Sequence, residues 1–249
     1  MTMLEVQNVT KCFGSLVAVK DVSMSVKTGE LRAIIGPNGA GKTTFFNTIS
    51  GYFPPTRGSI VFEGKDVTRV SAHARVRLGM GRTFQITEIF PELTVQENVL
   101  TAAEVAAGQT LNMLPSRAAA KLANDVAVEI LELVALAHKA DRLVGELSHG
   151  DQRTTEIAMA LAQLPRLLLL DEPTAGMGDQ ETYEITALIH RLHKERNYTI
   201  VLIEHDMRVV FHLADYITVL DRGSLLAEGT PKEIAASEAV QAAYLGEAG

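Results

Sequence analysis

The stretch Gly36-Pro37-Asn38-Gly39-Ala40-Gly41-Lys42-Thr43 constrains this chain more than any other. It satisfies G-x-x-x-x-G-K-[ST] at every fixed position. The apolar run at 31–35 before it reads as a strand, and residues 43–50 after it read as a helix stopped by Gly51. Glycines in such a loop let successive N–H groups turn inward onto phosphate oxygens, and the following helix adds the positive end of its dipole. Lys42 is placed to reach the β- and γ-phosphates and Thr43 to ligate Mg2+, with Thr44 next in the helix. A nucleoside triphosphate site follows from the loop. What its hydrolysis drives does not.

Composition narrows the setting. The chain has 249 residues, 47% hydrophobic and 21% charged, enough to bury a large core. Its net charge of −7 argues against nucleic acid as the main partner. Backbone N–H groups supply the local positive field that a phosphate needs. Cys12 is the only cysteine, which excludes an internal disulfide and suits a reducing cytosol. The first residues lack the basic-then-apolar order of a secretory signal. No stretch approaches the roughly 18–20 apolar residues of a spanning helix. Any membrane role is therefore expected to be peripheral.

The chain divides into three stretches. Residues 4–9 and 22–26 alternate as strands do, and a turn at 54–58 precedes another strand at 59–62. From 95 to 137 the sequence is rich in Ala, Leu and Glu and reads helical, interrupted at Gly108 and Pro115. Strand and helix then alternate: strands at 167–170, 199–203, 216–220 and 224–227, with helices at 181–194 and 207–213. Apolar strands alternating with helices imply a parallel sheet covered on both faces.

The strand Leu167-Leu168-Leu169-Leu170 ends in Asp171-Glu172. A carboxylate at the carboxyl end of a buried parallel strand is placed to hold Mg2+, the role given to Asp171. Glu172, one residue on, is placed to polarise the attacking water. His205 follows the end of the strand at 199–203, where it can hydrogen-bond the γ-phosphate or orient the Glu172–water pair.

The phosphate loop, Leu147-Ser148-His149-Gly150-Asp151-Gln152, Asp171-Glu172-Pro173-Thr174 and Glu204-His205-Asp206 occur in that order. Together they resemble the nucleotide-binding subunits of ABC transporters over nearly the whole chain. The Leu-Ser-x-Gly element before a predicted helix is the most specific part. The resemblance implies an α/β phosphate-loop ATPase with a parallel sheet, an N-terminal antiparallel β-subdomain and a helical insertion. It reads as one domain over 1–249, with 1–86 and 151–249 as ATPase core and 87–150 as the helical part.

The resemblance also implies ATP and Mg2+ as cofactors and a head-to-tail dimer with a second ATPase subunit, either a copy of this chain or a paralogue. Two ATPs lie between the loop of one subunit (Gly36 to Thr44) and Ser148 and Gly150 of the other. Phe13 matches the aromatic that stacks on adenine. Gln85, in Arg82-Thr83-Phe84-Gln85, matches the glutamine that senses Mg2+ and water, and His205 matches the switch histidine. Two transmembrane permease subunits, and indirectly a solute-binding protein, are the implied partners at the cytoplasmic face of the membrane. The apolar patch Ile86, Ile89, Phe90 and Pro91 reads equally as docking surface or as core.

The sequence departs from the common family pattern in places. His149 and Asp151 stand where the signature usually has Gly and Gln. Gly178 stands where an Asp is usual, and Asp179 either substitutes for it or caps the next helix. Arg-Thr-Phe-Gln, Leu-Ser-His-Gly and Ala-Gly-Met resemble branched-chain amino-acid importers first and urea- or amide-type importers second. A non-transport ABC ATPase is the alternative of a different class.

Overall fold

A computed structural model of the chain describes residues 1–83, 89–106 and 117–245. Gln85, Ile86, Gly108 and Pro115 lie outside the described residues. Four strands, β1 (Thr2–Phe13), β2 (Leu16–Lys27), β4 (Arg57–Phe62) and β5 (Lys65–Asp66), form an antiparallel sheet in the order β2-β1-β4-β5. The other strands are β3 (Leu31–Ile35), β6 (Met80–Arg82), β7 (Leu167–Asp171), β8 (Thr199–Ile203), β9 (Tyr216–Asp221) and β10 (Ser224–Gly229). They make a second sheet in the order β10-β9-β3-β8-β7-β6, parallel except for the antiparallel edge pair β9–β10.

Every residue of β3, β7 and β8 is buried, because both faces of this sheet are covered. Alternation along each strand divides the side chains between two cores. Leu168, Leu170, Ile200 and Leu202 face a core shared with the helices α3 (Val95–Ala106), α4 (Arg117–Leu133), α5 (His149–Ala162) and α6 (Asp179–Lys194). Leu167, Leu169, Val201 and Ile203 face a second core shared with the antiparallel sheet and with Phe45, Phe46 and Ile49 of α1 (Lys42–Ile49). Among the described residues no helix is long and apolar enough to cross a membrane.

Several short elements escaped the sequence reading, two of which bear on the site. One is β6, three residues including Gly81, too short and too glycine-rich to show a period. Its neighbour α2 (Ala72–Arg77) exists largely to deliver one side chain. Arg75 is 1% exposed. It donates to the carbonyls of Val70 at 2.9 Å, Thr48 at 3.1 Å, Thr68 at 3.3 Å and Val67 at 2.5 Å, and also to Ile49. Thr48 and Ile49 end α1, so a buried cation sits on the negative end of the phosphate-loop helix. Burial lowers the Arg75 pKa to about 10, against a smaller opposing effect of Asp66. Arg32 in β3 is also buried. It is satisfied by Glu30, Glu228, Thr218 and the Ser25 carbonyl, joining the two sheets.

Arg75→Met keeps the bulk but strands these carbonyls, each worth about 1–3 kcal/mol when left buried and unpaired. Urea unfolding is expected to show stability lower by at least about 2 kcal/mol. Arg75→Lys, with fewer donors, should recover only part.

Candidate active site

Parallel pairing brings the chemistry to one end of the sheet. Ile34 lies beside Ile203, and Asp171 lies beside Ile203 on its other side. The loop after β3, the acids ending β7 and the residues after β8 therefore emerge together. The cavity they enclose is about 540 Å³, lined by the loop from Asn38 to Thr44 with Glu172 and His205. A larger cleft of about 710 Å³ lies between α6 and α7 (Met207–Leu213), away from these groups. The smaller cavity is the candidate site because it holds the phosphate-binding backbone and the ionisable pair.

The loop takes the conformation its glycines allow. Gly39 and Gly41 have φ of 75° and 91°, in the left-handed region. A Cβ on Gly36 would come within 2.1 Å of the Leu220 carbonyl oxygen, and one on Gly41 within 2.5 Å of the Ala18 carbonyl oxygen. Gly41 is also the N-cap of α1, so the loop delivers its backbone to a helix N-terminus. Lys42 is buried and donates to the Gly36 and Pro37 carbonyls at 2.7 and 2.9 Å, folded over the loop it serves. Thr43 and Thr44 line the cavity.

Asp171 is fully buried, and its Oδ2 accepts from Arg82 at 3.2 Å. Its Oδ1 is buried without a partner among the described residues. Burial raises the Asp171 carboxyl pKa, Arg82 opposes the rise and Glu172 adds to it. An orphaned carboxylate oxygen is the donor that a hard cation takes. Among the described residues no group of three or more His, Cys, Asp or Glu could hold a metal. Mg2+ is usually bound by one or two protein oxygens plus substrate phosphates, so Asp171 with Thr43 fits that ion.

Glu172 stands on a strained backbone, φ 47°, sparsely populated for a non-glycine residue and costing on the order of 1–3 kcal/mol. Its amide donates to the Ile203 carbonyl at 3.0 Å, and its Oε1 lies 2.7 Å from His205 Nε2. The two residues thus form one pair at the cavity.

Phe13 ends β1, 47% exposed, with its ring edge-on to Phe53 at 5.3 Å. On that side Leu16, Val17 and Ala18 line the cavity. Ser148 is the N-cap of α5, and Gly150 lies in its first turn. Asp151 is ion-paired with Lys139 at 2.6 Å. Asp179 does not cap α6: Gly178 holds the N-cap position, and the exposed Asp179 carboxylate lies 3.5 Å from Arg208.

Two groups had been given no role from the sequence. Arg153 of α5 donates to the carbonyls of Asp171, Glu172 (3.1 Å) and Pro173 (3.3 Å) and pairs with Glu156. Glu204, 3% exposed, accepts from the amides of Thr174 (3.0 Å) and His205 (2.8 Å) and from the Thr174 hydroxyl. Glu204 carried a usable signal, being an acid at the carboxyl end of a buried strand, as Asp171 is. Arg153 carried none, because a charged residue on a helix reads as exposed until the helix is packed.

Fold and loop define a phosphate-loop nucleoside triphosphatase. The ABC transporter family model matches residues 19–175, and a model for branched-chain amino acid ATP-binding cassette transporters matches residues 224–249. The chain belongs to the ABC transporter family as an ATP-binding, ATP-hydrolysing subunit. The high-affinity branched-chain amino acid transport ATP-binding protein BraF of Pseudomonas aeruginosa is 42% identical, over 99% of this chain and 98% of its own. The corresponding protein LivG of Escherichia coli is 41% identical over 99% and 98%. An ATP-binding cassette of an ABC transporter, solved in its ADP conformation, superposes with a TM-score of 0.87 at 32% identity, covering 99% of both chains.

Gly41→Ala tests the loop. The added Cβ meets the Ala18 carbonyl in a backbone region that costs alanine on the order of 1–2 kcal/mol. Titration with a fluorescent ATP analogue should show affinity reduced by at least about tenfold, with the far-UV spectrum unchanged.

Proposed function

We propose that this chain powers the import of branched-chain amino acids, as the peripheral ATPase at the cytoplasmic face of a membrane complex. The carrying observation is relatedness along the whole chain. Relatives named for that transport align over 99% of it, and the C-terminal model of the same group matches residues 224–249. These names favour branched-chain amino acids over the urea-type alternative. The proposed partners are two permease subunits, a second ATPase subunit and, through the permease, a solute-binding protein. A dimeric bacterial ABC transporter cassette with a TM-score of 0.77, at 27% identity over 92% of this chain, supports pairing. In this reading 1–86 and 151–249 form the ATPase core, and 87–150 form the helical part that meets the permease.

The catalytic assignment rests on the Glu172–His205 pair. Gly36, Pro37, Asn38, Gly39, Ala40 and Gly41 present backbone N–H groups to the phosphates, and Thr44 continues that surface. Lys42 leaves the Gly36 and Pro37 carbonyls for the β- and γ-phosphates. Asp171 Oδ1 and Thr43 hold Mg2+, with Gln85 as a further ligand. Mg2+, when bound, offsets the negative charge on the β- and γ-phosphate oxygens. Glu172 orients the water and accepts its proton, while His205 Nε2, held against Oε1, fixes that carboxylate. Phe13 offers the adenine an exposed ring. Ser148 and Gly150 take the γ-phosphate of the ATP held by the second subunit.

Glu172→Gln keeps the shape and removes the base. Turnover should fall by about 10²–10⁴-fold, while ATP affinity stays within about twofold. Turnover near wild type would remove Glu172 from this role. For transport, the tagged chain should co-purify from native membranes with two polytopic subunits, and its deletion should abolish uptake of labelled leucine. Recovery without membrane subunits, or unchanged uptake, would overturn the import reading.

A further inference from the structure

The signature element that waits for the second subunit's ATP is not idle in the single chain. The Gly150 amide donates to Glu181 Oε1 at 2.9 Å. Glu181 lies in the first turn of α6, immediately after the loop that follows Asp171-Glu172. Ser148 Oγ accepts from the Asp151 amide at 3.2 Å and donates to the Asp151 carboxylate at 3.1 Å. Both groups assigned to the opposite γ-phosphate therefore already hold carboxylate partners from their own chain. The Asp151 carboxylate is neutralised by Lys139, whereas no ion pair is formed by Glu181 among the described residues.

A carboxylate on the N-terminal amides of a helix is held by the same orphan donors and dipole that bind phosphate. One N–H cannot serve both, and two anions at one donor repel. The fit is close: a Cβ on Gly150 would lie 3.2 Å from Glu181 Oε1 and Cγ. Glycine there leaves room for the carboxylate to reach the amide.

We propose that Glu181 is a positioning residue that stands in for the partner's γ-phosphate on the Gly150 amide. It must swing away before the ATP sandwich closes. The inference rests on the sandwich role of Ser148 and Gly150 given above. In the open chain, Glu181 keeps the signature helix capped and tied to α6. On closure the γ-phosphate, with more charge and more oxygens, displaces it. After hydrolysis the amide is free again, and the returning carboxylate opposes reclosure. Glu181 thereby sets how much ATP closure requires, without touching the nucleotide bound in its own loop.

The test uses the full chain in the Glu172→Gln background, where ATP persists, with dimer formation followed by light scattering during ATP titration. Glu181→Ala removes the stand-in. Glu181→Gln keeps an acceptor without the charge and guards against a folding defect. Charge at a helix end changes an equilibrium by about two- to fivefold, and two contacts break per closed homodimer. Two ATPs are also taken up per closed homodimer, so the ATP concentration at half-dimerisation should fall about two- to fivefold for Glu181→Ala and by less for Glu181→Gln. ATP affinity of the monomer should not change. Unchanged or weakened dimerisation in both variants would reduce Glu181 to a structural cap and overturn the proposal. Failure of the Glu172→Gln chain to pair on binding ATP, either with itself or with a co-purified ATPase subunit, would sink the sandwich reading beneath it.

Discussion

Parallel pairing of β3, β8 and β7 is the constraint on which the rest depends. Backbone hydrogen bonds hold these strands so that Ile34, Ile203 and Asp171 stand abreast. Whatever follows each strand must leave from the same edge. One strand is followed by a glycine loop, one by Glu172 and one by Glu204-His205. A one-residue slip in either pair would turn the strands' alternate side chains to the wrong core and separate Glu172 from His205. The packing that stabilises the sheet is thus also what assembles the site.

A second layer consists of buried charges that direct most of their hydrogen bonds to backbone. Arg75 gathers the carbonyls at the end of α1. Arg153 gathers those of Asp171, Glu172 and Pro173, and Glu204 gathers the amides of Thr174 and His205. Irregular backbone beside a phosphate site cannot satisfy itself as a helix or sheet does. A single guanidinium or carboxylate then serves several groups in one rigid arrangement. These latches have a mechanical consequence. Arg153 belongs to the same helix whose N-terminus carries Ser148 and Gly150. Its hydrogen bonds therefore tie α5 to the loop that bears Glu172.

Much of this was legible in the sequence, for identifiable reasons. The strands β3, β7 and β8 announce themselves as apolar runs because both of their faces are buried. The loop announces itself because few residues besides glycine tolerate its backbone. Asp171, Glu172 and His205 could be named because position after a buried strand is a one-dimensional property. The missed elements were those whose stability comes from elsewhere. Strand β6 has no pattern of its own and exists because β7 offers it an edge. Helix α2 is short and is held by Arg75, whose partners lie up to 27 residues away. Of the two roles open to Asp179, capping is not the one taken: Gly178 holds the cap position, and the Asp179 side chain turns out toward Arg208.

The sequence by itself determined the class of chemistry, the order of the motifs and the family, because each depends on residue types at short fixed spacings. Only the tertiary structure decided which groups share a bond. The Glu172–His205 pair joins residues 33 apart, and the contact of Glu181 on the Gly150 amide joins residues 31 apart. A carboxylate does not record in sequence which N–H or cation it will meet. That choice is made when strands pair in register and helices pack over them, because only then are distant donors and acceptors brought within about 3 Å, where a hydrogen bond exists.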